Sequence, residues 1–236
     1  MEIAQSYVDR RIQKKLDQRN AHLVGETIRK LMAQLKVQVA IYNQNRNGKY
    51  SSYRGTVGKT AKNLLKQKFD EIQPYKVIHT DITQPQLANQ QKVYISVMVD
   101  EGTKEVLACQ ISDHPNRKLI TDTLDELLQN LPDNARPIIH SDQGWHYQLP
   151  YYTQKLADHH FTQSMLRKAN CLDNAPVESF FHLLKTELLN GRPLVRDIEE
   201  FKRLVNGYIM FFNNIRISLK TDGLSPVEYR NQQLAA

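Results

Sequence analysis

From residue 75 onward the apolar pattern of this chain changes period, and that change limits the fold more than any other feature. Segments 75–82 (YKVIHTDI), 92–100 (KVYISVMVD) and 105–112 (EVLACQIS) alternate or run apolar with β-branched and aromatic residues. That texture predicts strands, and the EGTK turn at 101–104 joins the last two into a hairpin. A Leu/Ile stripe predicts a helix over 117–131, followed by a short buried strand at 136–141 and a helix at 151–160. A further strand is predicted at 161–165, then helices at 175–189 and 198–213. Three consecutive strands followed by alternating helices and strands predict a mixed α/β sheet flanked by helices.

The part before residue 75 has another character. Residues 5–19 place Tyr7, Val8, Ile12 and Leu16 at helical spacing, and residues 26–35 do the same with Ile28, Leu31, Met32 and Leu35. Two short helices around a tight break fit a helix-turn-helix, whose second helix enters the major groove, and equally an ordinary helical hairpin. Residues 43–70 hold few large apolar side chains and seven Lys/Arg, with a weak helical stretch at 60–68. The expected organisation is a helical module at 1–42, a basic linker at 43–72 and a core at 73–233.

Charge follows the same division. Residues 1–76 carry 16 basic against 6 acidic side chains, whereas the remainder carries 16 against 19. A basic front end joined to a weakly acidic body suggests that the front end meets a polyanion. The longest apolar run, 208–212, is five residues against the roughly 20 that span a bilayer. The first twenty residues lack the apolar stretch of a secretory signal. Two cysteines, Cys109 and Cys171, provide neither a disulfide framework nor a Cys-rich zinc site. The expectation is a cytoplasmic protein with no membrane association.

Three acids stand out by position. Asp81 ends the first strand, Asp142 lies just beyond the fourth, and Glu178 falls in the first turns of a helix. Open α/β sheets commonly build sites beyond strand ends. Crowded carboxylates repel, by about 1 kcal/mol at 4 Å in water and more at lower dielectric, so bound cations or proton sharing must offset the cost. Hard oxygen donors without nearby Cys favour Mg²⁺ or Mn²⁺. A pair of such ions suits in-line displacement at phosphorus without a protein nucleophile. Alternatives exist residue by residue: each acid alone fits a helix cap or a solvated surface charge, and Asp173, before Asn174-Ala175-Pro176, fits an N-cap. His140 and His146 flank Asp142 as in a zinc site, although convincing further soft ligands are missing.

Thirty-five residues separate Asp142 from Glu178. With the flanking words HTDIT (79–83), IIHSDQGWHYQ (138–148), SMLRKANCLDNAPVESFFHLLKTEL (164–188) and FFNNIRISLKTDGLSPVEYR (211–230), this arrangement resembles the DD(35)E transposases of bacterial insertion sequences, specifically their second-frame (OrfB) proteins. The likeness runs through about residues 70–233. YVDRRIQKKL and ETIRKLMAQLKV are similar to the helical module that precedes that family's catalytic core. Two departures are visible: Ala169 stands where the family usually has glycine, and the helical module begins abruptly, as in a shortened copy.

The resemblance implies a ribonuclease-H-like fold and a catalytic, metal-binding triad of Asp81, Asp142 and Glu178 holding two Mg²⁺ ions, with Mn²⁺ as a substitute. It implies cleavage at the element's 3′ ends and strand transfer into target DNA. Partners would be the terminal repeats, target DNA, further copies of the chain in a synaptic complex, and an upstream-frame protein or fusion. Lys185, seven residues after Glu178 on one helix face with His182 between, is expected to hold terminal DNA. Arg167, Lys168 and Asn174 are expected near the DNA backbone. Phe180, Phe181 and Leu184 are expected to pack the helix on the sheet, and Trp145 to pack or to stack on a base. The competing functions are a ribonuclease-H-type nuclease acting on hybrids and a DNA-binding repressor or inactive transposase remnant.

Overall fold

The computed structural model describes residues 9–37, 60–166, 174–189 and 195–236. Strands β1 (Val77–Thr83), β2 (Tyr94–Asp100), β3 (Val106–Ser112), β4 (Ile138–Ser141) and β5 (Thr162–Met165) form one sheet in the order β3-β2-β1-β4-β5. The first three strands pair antiparallel, while β4 runs parallel to β1 and β5 parallel to β4. All five expected strands are present, each starting and ending within two residues of its sequence-based bounds.

Helices cover both faces of the sheet. Helix α3 (Arg117–Asn130), started by the Asn116 side chain accepting from Leu119 N–H, packs with α4 (Pro150–Asp158) against Ile78, Met98 and Ile139. On the other face α5 (Ala175–Leu184) and α6 (Ile198–Asn214) pack Val177, Phe180, Phe181, Leu184, Phe201, Val205 and Tyr208 onto Ile95, Val97 and Val99. Phe180, Phe181 and Leu184 thus pack as expected. A final helix, α7 (Pro226–Ala235), opens with a capping box between Ser225 and Glu228 and proline in its first turn.

Two local expectations are corrected. Residues 60–68 are not helical. Lys66 and Gln67 have positive φ, and the backbone bonds to β5 instead: Leu64 N–H donates to Ser164 Oγ (3.0 Å) and Met165 N–H to Lys62 C=O. Anchoring to a strand edge outweighs a weak helical preference. The expected helix over 175–189 gives way at Lys185 to a π-helical turn, Lys185–Leu189. That wider turn brings Glu187 into the interior, where Arg216 pairs with both carboxylate oxygens and Tyr208 Oη–H donates to one.

Ahead of the core, α1 (Asp9–Asp17) and α2 (Gly25–Gln34) form the expected helical pair, linked by an Arg29–Asp9 ion pair. Residues 5–8 of the first predicted helix lie outside the described residues. Gln18 Nε2–H donates to Gly223 C=O (2.9 Å), so α1 rests against the loop before α7.

Candidate active site

The register of the central strands brings the two aspartates together. β1 and β4 are parallel neighbours whose last paired residues are His79 and His140. Asp81 and Asp142 each lie two residues further along, so both occupy the same phase of the pleat. Asp81 pairs across β2 with Val97, which faces α5 and α6, so Asp81 faces that side as well. α5 crosses the same side and carries Glu178, half-buried, in its first turn.

The electrostatics agree with this placement. Burial, then the charge of Asp142, and then that of Glu178 push the Asp81 carboxyl up to about 7, against the donation of Ile82 N–H and the nearby Lys185 ammonium. Burial raises the Asp142 carboxyl, opposed by a 2.8 Å bond from Gly144 N–H, and also raises that of Glu178. The Tyr147 hydroxyl, fully buried beneath the pair, is pushed far up by burial and then by both aspartates. It stands 3.4 Å from Thr80 Oγ1.

The donor set suits a hard divalent cation. Oδ1 of Asp81 and Oδ1 of Asp142 each accept one backbone N–H, and the acids crowd unfavourably without a counter-charge. Among the described residues, however, no three His, Cys, Asp or Glu side chains converge tightly enough to hold an ion as they stand. The charge of Asp142 acts on Asp81 more strongly than that of Glu178 does.

The flanking histidines do not make a zinc site. His140 is fully buried, its Nδ1 2.9 Å from Ser164 Oγ and its ring edge-on to His79. His146 is pushed down to about 4 by burial, and its Nδ1 has no partner among the described residues. Between His146 and Asp142 sits Gly144. A Cβ there would lie 2.9 Å from Asp142 Oδ1 and 2.9 Å from His146 Nε2, so any side chain at this position would have to displace them.

The expected DNA contacts divide. Lys185 is exposed at the end of α5, close enough for its charge to act on Asp81, and His182 is exposed one turn earlier. Asn174 is corrected: it is 1% exposed, with its amide bonded to His79 and to Thr80 C=O rather than open to a phosphate. Arg167 and Lys168 lie outside the described residues, as do Ala169, Cys171 and Asp173. Trp145 opens a short 3₁₀ turn (Trp145–Gln148), half-buried, with its ring against His146. Sequence reasoning missed Gly144, Tyr147, His79 and Glu101. The flanking words HTD and HSDQGWHY held the signal for the first three.

Comparison with known proteins gives a consistent result. Residues 71–171 match the integrase core domain family, and residues 178–234 match a second family of that description. The chain is 38% identical over 226 residues to the transposase InsK for insertion sequence element IS150 of Escherichia coli strain K12, covering 96% of this chain and 78% of that protein. It is 41% identical over 186 residues to an uncharacterized transposase-like protein of Haemophilus influenzae, covering 79% and 85% respectively. Among solved structures, the HTLV-2 integrase catalytic core domain in complex with magnesium superimposes with a TM-score of 0.51 at 15% identity, over 67% of this chain and 98% of that one. At that identity the likeness is one of fold.

Proposed function

The chain belongs to the insertion-sequence transposases with an integrase core, and on that premise we propose that Asp81, Asp142 and Glu178 are the acids with which it cleaves and joins DNA. As a member of that family it is a DDE-type polynucleotidyl transferase that acts on DNA. The observation that carries the assignment is the placement of Asp81 on β1 and of Asp142 just past the end of the adjacent parallel β4, each two residues beyond the last pair, on the side crossed by the helix that bears Glu178.

These carboxylates would hold two Mg²⁺ ions, or Mn²⁺ in their place, and the HTLV-2 core with the same fold is described in complex with magnesium. When bound there, such ions supply Lewis acidity to the attacking and leaving oxygens of an in-line displacement. The protein's own part is to hold the acids. β1 and β4 fix the aspartates, Gly144 N–H orients Asp142, and the packing of α5 sets the height of Glu178 above them. Lys185 offers an ammonium beside the acids to a DNA phosphate, and Arg167 and Lys168 are proposed to extend that contact. Nicking, in which water attacks the phosphodiester and the 3′-oxygen leaves, and strand transfer, in which that freed 3′-OH attacks target DNA and expels a target 3′-oxygen, are both in-line displacements at phosphorus and use one arrangement.

The helical module at 1–42 and the basic linker at 43–72 are proposed to bind the ends, delivering DNA to the core at 73–233. Assembly on paired ends requires at least two copies, and an upstream-frame partner is proposed to add end recognition. No described helix is long and apolar enough to cross a membrane, and the proposed site of action is cytoplasmic DNA. The test is supercoiled plasmid carrying the element, incubated with the protein, its upstream-frame partner and Mg²⁺. Nicked or joined products should form, and Asp81→Asn, Asp142→Asn and Glu178→Gln should each abolish them. Full activity in all three variants would overturn the assignment.

A further inference from the structure

Asn174 occupies the N-cap of α5, yet its side chain makes no bond to its own helix. An N-cap asparagine normally accepts from an N–H of the first turn, so this side chain forgoes a stabilising bond to its own helix. The amide crosses instead to β1. Its Nδ2–H donates to Thr80 C=O (3.2 Å), which fixes the amide's orientation and leaves Oδ1 to accept from His79 Nδ1–H at 2.8 Å. On the far side of the ring, Nε2 lies 2.7 Å from Glu101 Oε2, within hydrogen-bond distance. Glu101 Oε1 accepts from Glu71 N–H, and all three side chains are at most 1% exposed.

This chain of bonds joins elements that the acids occupy. His79 is two residues before Asp81 on the same face of β1, and Asn174 is one helical turn, about 6 Å, before Glu178. Buried polar bonds of this kind hold one geometry firmly, because a partner lost here leaves an unpaired polar group in the interior. Simple attachment of α5 is already provided by Val177, Phe180 and Phe181.

We propose that the His79–Asn174 tie, backed by Glu101, is a positioning device that fixes the start of α5, and through it Glu178, against the strand bearing Asp81. His79, Asn174 and Glu101 are positioning residues, and the inference rests on the acid assignment above. Asn174→Ser is the informative variant. Serine caps a helix as well as asparagine, so the helix start is preserved while the shorter side chain no longer reaches His79.

The full chain is compared as wild type, Asn174→Ser, Asn174→Asp and Asp81→Asn. Measurements are the unfolding temperature in EDTA, its rise with added Mn²⁺, affinity for supercoiled plasmid, and the saturated nicking rate. Asn174→Ser should unfold within a few degrees of wild type in EDTA and bind plasmid within twofold. Its nicking rate should fall at least tenfold, and more Mn²⁺ should be needed for the same thermal rise. Asn174→Asp, which still accepts from His79, should recover part of both. The inference is overturned if Asn174→Ser matches wild type in rate and Mn²⁺ response, if its plasmid affinity falls in step with its rate, or if it does not fold. A thermal rise with Mn²⁺ in Asp81→Asn equal to wild type would instead sink the acid assignment, and this inference with it.

Discussion

The two faces of the central sheet are built from opposite chemistry. Toward α3 and α4, the middle strands present Ile78, Met98 and Ile139, closed over by Ile120, Leu124, Leu127 and Leu156. Toward α5 and α6, β2 and β3 are equally apolar, but β1, β4 and β5 present His79, Asp81, His140 and Ser164, with Asp142 just beyond. One face is therefore mainly apolar core, with Thr80 and Ser96 buried in it, and the other is core for half its width and a polar cleft for the rest. Stability and catalysis are separated across a single sheet, and substitutions on the two faces should fail in different ways.

The sharpest separation comes from the acids. Asp81→Asn, Asp142→Asn and Glu178→Gln should each lower nicking by at least about 10³-fold, equivalent to about 4 kcal/mol of transition-state stabilisation, while leaving a cooperative unfolding transition. Circular dichroism beside plasmid nicking checks this. A variant that lost activity only in proportion to its folded fraction would break the comparison. The opposite behaviour belongs to Leu124→Ala and Leu127→Ala on the apolar face, where the side chains are 1% and 0% exposed. Each should cost about 2–5 kcal/mol in denaturant unfolding, with the nicking rate per folded molecule unchanged.

The polar cleft also opposes stability, and pH reveals it. The folded, metal-free protein keeps the Asp81 proton up to about 7, whereas an unfolded aspartate releases it near 4. More protons are then bound in the folded state between those values, so stability falls as pH rises through that window. Asp81→Asn in EDTA at pH 8 should be more stable than wild type by about 2–4 kcal/mol, with the advantage vanishing near pH 4. A smaller effect is expected at Gly144. An added methyl meets Asp142 Oδ1 and His146 Nε2, so Gly144→Ala should displace the carboxylate and slow nicking about tenfold, with little change in unfolding temperature.

The two faces were not equally legible in the sequence. Alternation and short apolar runs predict all five strands, and apolar stripes at helical spacing predict helices of both layers, since these are local signals. The two aspartates are visible as strand-end residues and Glu178 as a first-turn helix residue, and the flanking words with the 35-residue spacing tie them together through family resemblance. Asn174 is different. In DNAPVE it reads as a DNA contact, with Asp173 as the cap, and nothing nearby reveals a bond to a histidine 95 positions earlier. The π turn has the same origin, because Glu187 is drawn inward by Arg216, 29 residues away. Residues 60–68 read as weak helix because their bonds to Ser164 and Met165 lie about 100 positions off. What escaped was set by distant polar partners; what was found was set by local period.

The smallest predicted effect tests where the cleft ends and the DNA surface begins. Lys185 is exposed, yet its charge reaches Asp81. An ammonium that only balanced the acids would alter their chemistry without changing how DNA binding responds to salt. One that grips a phosphate releases counterions when DNA arrives, and each such contact contributes about 0.9 to the slope of log affinity against log salt. Lys185→Ala should therefore weaken plasmid binding a few-fold at low salt and flatten that slope by about one contact, with the rate at saturating DNA reduced less than affinity. An unchanged slope with a reduced saturated rate would move Lys185 from the DNA surface into the polar cleft.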